Sequence, residues 1–296
     1  MHRQTVGTVR DMVGLAILLA VTLPFAFRQH AMEQQASALR VTFLDVGKGD
    51  AAVIETPSGK VIVVDTGGKL AGGADQGSQT IAPFLRAHGR SKIGVLLLTH
   101  PHPDHISGAA TLLNTFPVSV LIDNGVDAHL PEVQRYREAA RNREVPVHLG
   151  ARGTSISFGE GVTLRMLAPP RSNAAGRVNN SSIVLRLEYG KTSFLLTGDA
   201  ESDSEAEMLA SGQKVDCNVL KVGHHGSNAS TSSELLIAAH PQIAVISVNA
   251  GNRNGYPHPE LLDRLNKAGA KVYRTDTNGN VTCLSDGTQV RVETEH

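Results

Sequence analysis

Residues 95–108 constrain this chain more than any other stretch. Val95, Leu96, Leu97 and Leu98 make a short unbroken apolar run, which reads as a strand buried on both faces. Directly behind it stand His100, His102, Asp104 and His105. Past the end of a strand the ladder hydrogen bonds stop, so side chains there converge on one point while the strand holds them rigidly. His100 and His102 are two apart and in extended backbone point the same way, which lets them share one ion. Pro101 and Pro103 restrict the backbone between them and bias the preceding residues away from helix. Asp104 and His105 then turn the other way and can serve a second ion. A polar surface loop is the competing reading. Four ligand-type side chains this close behind a buried strand argue against it and for a metal site.

The spacing His100-x-His102-x-Asp104-His105 resembles the HxHxDH signature of the metallo-β-lactamase superfamily. The resemblance implies an α/β fold, a metallo-β-lactamase-like four-layer αβ/βα sandwich of two mixed β-sheets, with a pair of metal ions held between them. Its ligands here are His100, His102, Asp104 and His105, with Asp104 also counted among the catalytic groups. The signature does not fix the substrate.

Composition sets the remaining bounds. With 296 residues, 41% hydrophobic and 19% charged, the chain is long enough for one large domain with a full core. Its net charge of zero gives no global basic field for nucleic acid. Residues 12–27 are uncharged, apolar on every side and preceded by Arg3 and Arg10, which speaks against a buried amphipathic helix. They fall short of the roughly 20 residues of a membrane span and suit the core of an export signal, although Asp11 at the edge weakens it slightly. Ala36-Ser37-Ala38 offers a cleavage site somewhat far downstream. An anchor that is never cut is the other reading, since tilt and flanking residues stretch a short span. Residues 1–38 therefore read as a signal peptide or membrane anchor with a short linker, and 39–296 as the hydrolase domain. The expected location is exported, either periplasmic or extracellular, or held at the membrane by the N-terminal segment. Cys217 and Cys283 are the only cysteines. They read as one disulfide or, more simply, as small buried apolar residues.

Residues 40–46, 51–56 and 60–65 read as three strands of a meander, separated by Gly47-Lys48-Gly49-Asp50 and Pro57-Ser58-Gly59. The third delivers Asp65 at its end, either as a turn aspartate or as a functional carboxylate. The superfamily resemblance implies that Asp65 orients the histidines without binding metal. Residues 79–88 and 106–114 read as helices, 118–122 as a strand, and 132–143 as a charged surface helix. Arg135, Arg137, Arg141 and Arg143 of that helix either face a polyanion or make a solvated face. Further short strands in 146–168 lead to the polar loop 169–178, which carries Arg171 and Arg177. Strands 183–189 and 192–197 follow, and the second ends at Asp199. By resemblance Asp199 is the metal-bridging aspartate; a carboxylate between two cations partly neutralises their repulsion. Ahead of that strand, where many superfamily members carry a further histidine, this chain has Asn179 and Asn180. An amide oxygen is a harder and weaker ligand, so the first metal site is expected to be weak, labile or tuned away from zinc.

A strand at 215–222 then delivers Gly223-His224-His225-Gly226-Ser227. Sequence does not say which imidazole binds metal. The reading taken is His225 as ligand and His224 for hydrogen bonding or proton transfer. Helix 232–239 and strand 243–248 lead to the loop with Arg253 and to His258, just before helix 260–268. A helix N-terminus favours an anion, so His258 contacts a substrate phosphate or leaving group, or simply caps the helix.

Asp45-Val46-Gly47-x-Gly49-Asp50, Asp65-Thr66-Gly67, the histidine motif, Asn180-Ser181-Ser182, Gly198-Asp199, His224-His225-Gly226-Ser227 and Tyr256-x-His258-Pro259 together resemble the hydrolase domain of ComEC-type competence proteins and their stand-alone relatives. The resemblance covers about residues 39–290. It departs at Lys48, where glutamine is usual, and at Pro257, where glycine commonly precedes the histidine. Neither departure removes a ligand. Without the multi-span channel of the full competence protein, the chain is expected not to transport DNA alone. The implied activity is a metal-dependent phosphodiesterase or nuclease with two divalent ions, Zn or Mn. Its catalytic groups would be Asp104, His224, His258 and Asp65, and its substrate contacts Asn180, Ser227 and Arg253. The implied substrate is a phosphodiester, with DNA among the candidates, and no protein partner is expected. A lactonase or β-lactamase-like hydrolase shares the same centre, and a non-catalytic exported accessory protein would keep the fold alone. An enclosed apolar pocket would favour a small acyl substrate, and an open basic groove a polymer.

Overall fold

The computed structural model describes residues 38–126, 129–171 and 178–296. The apolar segment at 12–27 and Arg177 lie outside the described residues. Six strands come first: β1 (Leu39–Phe43), β2 (Ala52–Glu55), β3 (Val61–Val64), β4 (Ile93–Leu97), β5 (Val118–Asp123) and β6 (Val147–Leu149). A second group comprises β7 (Ser155–Gly159), β8 (Val162–Ala168), β9 (Val184–Tyr189), β10 (Thr192–Leu196), β11 (Val219–Lys221), β12 (Ile243–Ile246) and β13 (Lys271–Arg274). The chain then returns to the first sheet with β14 (Val281–Ser285) and β15 (Val290–Thr294). The sheets run β15-β14-β1-β2-β3-β4-β5-β6 and β13-β12-β11-β10-β9-β8-β7. Both are mixed. From β3 to β6 and from β10 to β13 neighbouring strands are parallel, and the remaining pairs are antiparallel.

Strand alternation explains the layering. In β3, Val61 and Val63 face one core while Ile62 and Val64 face another; in β10, Phe194 and Leu196 point inward and Leu195 outward. A strand buried on both faces needs a cover on each side. The inner faces pack on each other through Phe43, Ile54, Leu97, Leu185 and Phe194. Helices Ala82–Ala87, Ala109–Thr115 and Pro131–Asn142 cover the outer face of the first sheet, and Ser202–Ala210, Ser233–Ala239 and Pro259–Lys267 that of the second. This is the four-layer αβ/βα sandwich.

Local differences from the sequence reading have local causes. The helix expected at 106–114 is two helices, Pro103–Ile106 and Ala109–Thr115. The His105 carbonyl, which would continue the first, is taken by the Thr66 N–H and Thr66 Oγ1. The strand expected at 215–222 pairs only over Val219–Lys221. Helix Ser202–Ala210 was not legible because its face is acidic: Glu205 is buried and accepts from the Ser232 N–H at 2.8 Å and from the Thr231 N–H. Arg135 and Arg137 pair with Glu132 and Asp123, while Arg141 and Arg143 are exposed. Among the described residues, no helix is long and apolar enough to cross a membrane.

Both cysteines are free. Cys283 packs between the sheets and Cys217 in the outer core of the second sheet, and burial pushes each thiol up to about 12. A raised thiol pKa leaves almost no thiolate, the reactive form, at pH 8. The native protein is therefore expected not to react with a disulfide reagent such as DTNB at pH 8 within minutes, and to release two equivalents of product once unfolded in urea. Rapid native reaction would mean that one core opens locally.

Candidate metal centre

Parallel strands deliver the site. Asp65 follows β3, Thr99 and His100 follow β4, Asp199 follows β10, His224 and His225 follow β11, and Ser247 follows β12. These are carboxyl ends of parallel strands, where open α/β sheets place their ligand sites. Here two sheets contribute to one place. Asp65, His224 and His225 all have positive φ, at 58°, 46° and 54°. Non-glycine residues held there store strain that the surrounding fold must impose, as functional sites often do. Gly226, at φ 92°, permits the turn: a Cβ there would come 2.6 Å from the Cβ of Pro257.

Two clusters form, and Asp199 belongs to both. One holds His100, His102 and Asp199; the other holds His105, His225, Asp199 and Asp50. The hydrogen bonds fix which ring nitrogen is available. Asp65 Oδ2 accepts from Thr99 Oγ1 at 2.8 Å, so the same Oγ1 accepts from His100 Nδ1 at 3.0 Å. His100 Nε2 is then left as a lone pair, 3.7 Å from Asp199 Oδ2 and 3.0 Å from His102 Nδ1. His105 Nδ1 donates to Asp65 Oδ2 at 2.8 Å, which leaves its Nε2 3.3 Å from Asp199 Oδ2. His225 Nδ1 donates to the Ser247 carbonyl at 3.2 Å, which leaves its Nε2 3.6 Å from the same oxygen. His105 Nε2, His225 Nε2 and Asp199 Oδ1 are buried without a hydrogen-bond partner. Buried lone pairs that converge without donors are costly unless a cation satisfies them. The residues present fit a divalent metal.

The protein's own charges agree. Burial pushes Asp199 up, yet His105, His225 and His100 outweigh it and hold the carboxyl well below the usual range. Burial, with His105 beside it, pushes His100 well down, toward the neutral imidazole a metal requires. Burial opposes charge on His105 too, but Asp199 and Asp65 raise it. A field that favours a proton there also favours a cation.

Asp65 ties this together. Its Oδ1 accepts from the Thr99 N–H at 2.7 Å while Oδ2 takes Thr99 Oγ1 and His105 Nδ1. Groups that orient a metal-binding imidazole typically carry a 10–100-fold share of metal affinity. Asp65→Asn is expected to lower metal affinity by about that factor, read by chelator competition, with an unchanged far-UV spectrum. Unaltered affinity would leave Asp65 as a turn residue.

The sequence reading assigned no role to Asp50 and Lys221. Lys221 Nζ, 4% exposed, is bonded to Asp50 Oδ2 and donates to the Val222 carbonyl at 2.9 Å. Asp50 Oδ1 lies 3.2 Å from His225 Nδ1, and Oδ2 4.0 Å from His105 Nδ1. Asp50 thus faces the proton-bearing side of both imidazoles, opposite Asp199. A lone lysine inside the apolar run Val219-Leu220-Lys221-Val222 was the available signal, because an unpaired charge is not buried there. The Asp50 loop docks backbone to backbone on the histidine motif: the Asp50 N–H donates to the Asp104 carbonyl at 3.2 Å. At Gly49, φ 112°, a Cβ would sit 1.9 Å from that carbonyl oxygen.

Other expected residues divide. Asp104 Oδ2 is 3.9 Å from His225 Nε2 and 3.6 Å from Lys48 Nζ, at the rim of the second cluster. His224 Nε2 is 3.9 Å from Asp199 Oδ2, and its Nδ1 is 3.5 Å from Glu201 Oε1. Asn179 stands beside it, Nδ2 3.4 Å from His224 Nδ1, with a buried Oδ1 lacking a hydrogen-bond partner. Asn180, Ser227 and His258 are not among the residues that line the cavity over the clusters. Asn180 accepts the Glu201 N–H at 3.0 Å, and Ser227 Oγ is buried and accepts from Ala229. His258 makes no side-chain cap; its Nε2 donates to the Asn254 carbonyl at 3.2 Å. Over the clusters lies a cavity of about 670 Å³ whose lining includes His102, Asp104, His224, Lys48, Arg253 and Tyr256.

The metallo-β-lactamase superfamily model matches residues 44–250. The chain is 34% identical over 253 residues to ComE operon protein 3 of Bacillus subtilis, covering 81% of this chain and 32% of that protein. To Recombination protein 2 of Haemophilus influenzae it is 35% identical over 243 residues, covering 82% of this chain and 28% of that one. It thus spans about a third of the length of these curated relatives. Among solved structures, the diiron β-hydroxylase CmlA of Streptomyces venezuelae shares the fold with a TM-score of 0.55 at 13% identity, covering 82% of this chain and 53% of that one.

Proposed function

Since this chain belongs to the metallo-β-lactamase superfamily, we propose that it is a metal-dependent phosphodiesterase of the ComEC type, with two divalent ions, Zn or Mn, and DNA among its substrates. The observation that carries this reading is the cavity over the clusters. Its lining is not mostly apolar, and it includes Lys48 and Arg253 together with Asn249, Asn252 and Asn254. An acyl-ester or lactam pocket would be enclosed and mostly apolar. Similarity to Recombination protein 2 of Haemophilus influenzae supports a nucleic-acid substrate.

His100, His102 and Asp199 would hold one ion, and His105, His225, Asp199 and Asp104 the other. When bound, such ions supply Lewis acidity, activate water near neutral pH and neutralise charge on phosphate oxygens. The protein does the rest. Asp65, Thr99 and Ser247 keep the Nδ1 protons in place so that the Nε2 lone pairs face inward. His224, half-buried beside Asp199 and Glu201, is placed to hold or pass a proton to the leaving oxygen. Lys48 and Arg253 attract the polyanion and orient it.

The test loads the full chain separately with Zn and Mn. It then offers bis-p-nitrophenyl phosphate, single-stranded DNA and a chromogenic cephalosporin, with His102→Ala as control. Metal-dependent phosphodiester cleavage that the control loses is expected. Cephalosporin turnover without phosphodiester cleavage would sink the reading.

A further inference from the structure

We propose that the cavity is a nucleotide subsite in which the Tyr256 ring carries a nucleobase and Lys48 holds the neighbouring phosphate; this rests on the phosphodiester reading above. Among the described residues, Tyr256 is the one Phe, Tyr or Trp that lines the cavity. The chain has four tyrosines and no tryptophan. Tyr136 is buried on the far side of the first sheet, while Tyr189 and Tyr273 pack against the core between the sheets. Tyr256 rests on the outer core of the second sheet and stays partly exposed toward the cavity. Its ring centre is 5.7 Å from that of His224, the imidazole beside Asp199, and 5.1 Å from that of His258. A group bonded to a phosphate at the clusters would reach the Tyr256 ring next.

The backbone that carries the ring is held before substrate arrives. Asn252 Oδ1 accepts from the Tyr256 N–H at 2.8 Å, and Asn252 Nδ2 donates to the Tyr256 carbonyl at 2.7 Å and to the Asn249 carbonyl at 3.0 Å. Three bonds from one carboxamide pin the loop, so stacking there costs little ordering. Base stacking on an aromatic side chain tolerates any base, because every base has a π-face. Lys48 comes from the other sheet, on the β1–β2 loop. Its side chain is 72% exposed, and Nζ is 3.6 Å from Asp104 Oδ2 at the edge of the second cluster. A lysine there puts a cation beside any phosphate at the clusters, from a different loop than the one that carries Tyr256.

The test compares two esters with the same leaving group on the metal-loaded full chain: thymidine 5′-p-nitrophenyl phosphate, which has a base, and methyl p-nitrophenyl phosphate, which has none. Tyr256→Leu is expected to raise KM for the thymidine ester by about tenfold or more, the scale of one lost base stack, and to raise KM for the methyl ester far less. Tyr256→Phe keeps the platform and restores the thymidine KM. Lys48→Ala raises KM for both esters and flattens the salt dependence of single-stranded DNA binding. Equal losses on both esters in Tyr256→Leu, or a Tyr256→Phe as impaired as Tyr256→Leu, would overturn the subsite and leave Tyr256 as a support for His224. If the wild type cleaves neither ester, the phosphodiester reading has failed by itself. Calorimetry with thymidine 5′-monophosphate then decides the subsite: weaker binding to Tyr256→Leu than to wild type upholds it, and equal binding or none overturns it.

Discussion

Replacing Asp199 with alanine is expected to abolish hydrolysis and strip the protein of most of its bound metal. Among the described residues, no other side chain belongs to both clusters. Its Oδ2 lies between the free nitrogens of His105, His225 and His100, at 3.3, 3.6 and 3.7 Å, and its Oδ1 is buried with no hydrogen-bond partner. Removing it leaves those imidazoles facing one another without the anion that makes a cation welcome. Metal ions of this kind supply several kcal/mol of transition-state stabilisation, which corresponds to a loss of about a thousandfold or more in kcat/KM. Bound metal, measured by elemental analysis after dialysis, should fall by more in Asp199→Ala than in His102→Ala, which touches only the first cluster. Asp199→Asn keeps the shape and removes the charge. If it retained full metal and rate, the charge of Asp199 would have no part in the site.

The largest expected loss of stability lies at Lys221. Removing one partner of a buried ion pair costs about 3–5 kcal/mol, because the other charge stays buried without compensation. Lys221→Met leaves Asp50, 5% exposed, in that position. Urea unfolding with a chelator present, so that metal loss does not enter, should show a drop of that size. Adding Asp50→Asn should recover most of it. The pH dependence follows from Asp50. Burial pushes its carboxyl up, but Lys221, His225 and His105 outweigh burial and hold it well below the usual range. A depressed carboxyl stabilises the fold above its unfolded value near 3.9, and that contribution is lost as pH falls through the folded value. Without Lys221 the carboxyl rises, so the difference between variant and wild type is widest near neutrality and narrows on acidification. A constant difference from pH 7 down to pH 4 would mean that the loss is one of packing.

Much of the candidate site was legible because several of its residues stand just past an apolar run. His100, Asp199 and His225 were found in this way, and so was Asp65, since strand ends are local features. Asp50 was harder. It follows a glycine turn at the start of a strand, and its importance comes from Lys221, far away in sequence and on the other sheet. The acidic helix Ser202–Ala210 stayed hidden for a similar reason. Glu205 faces inward to accept the Thr231 and Ser232 N–H groups, which no periodicity in its own segment announces.

By itself the sequence determined the order of strands around the histidine motif, the metal-binding character of the site and the family resemblance, because these depend on neighbours a few residues apart. Tertiary structure alone decided three things. It made Asp199 the residue common to both clusters. It assigned the inward nitrogen of His100, His105 and His225, through Thr99, Asp65 and Ser247. It also brought Tyr256 and Lys48 to the lining of one cavity from different sheets. The first and third are relations between the two sheets and exist only once these pack face to face, whereas the second joins neighbouring strand ends within each sheet.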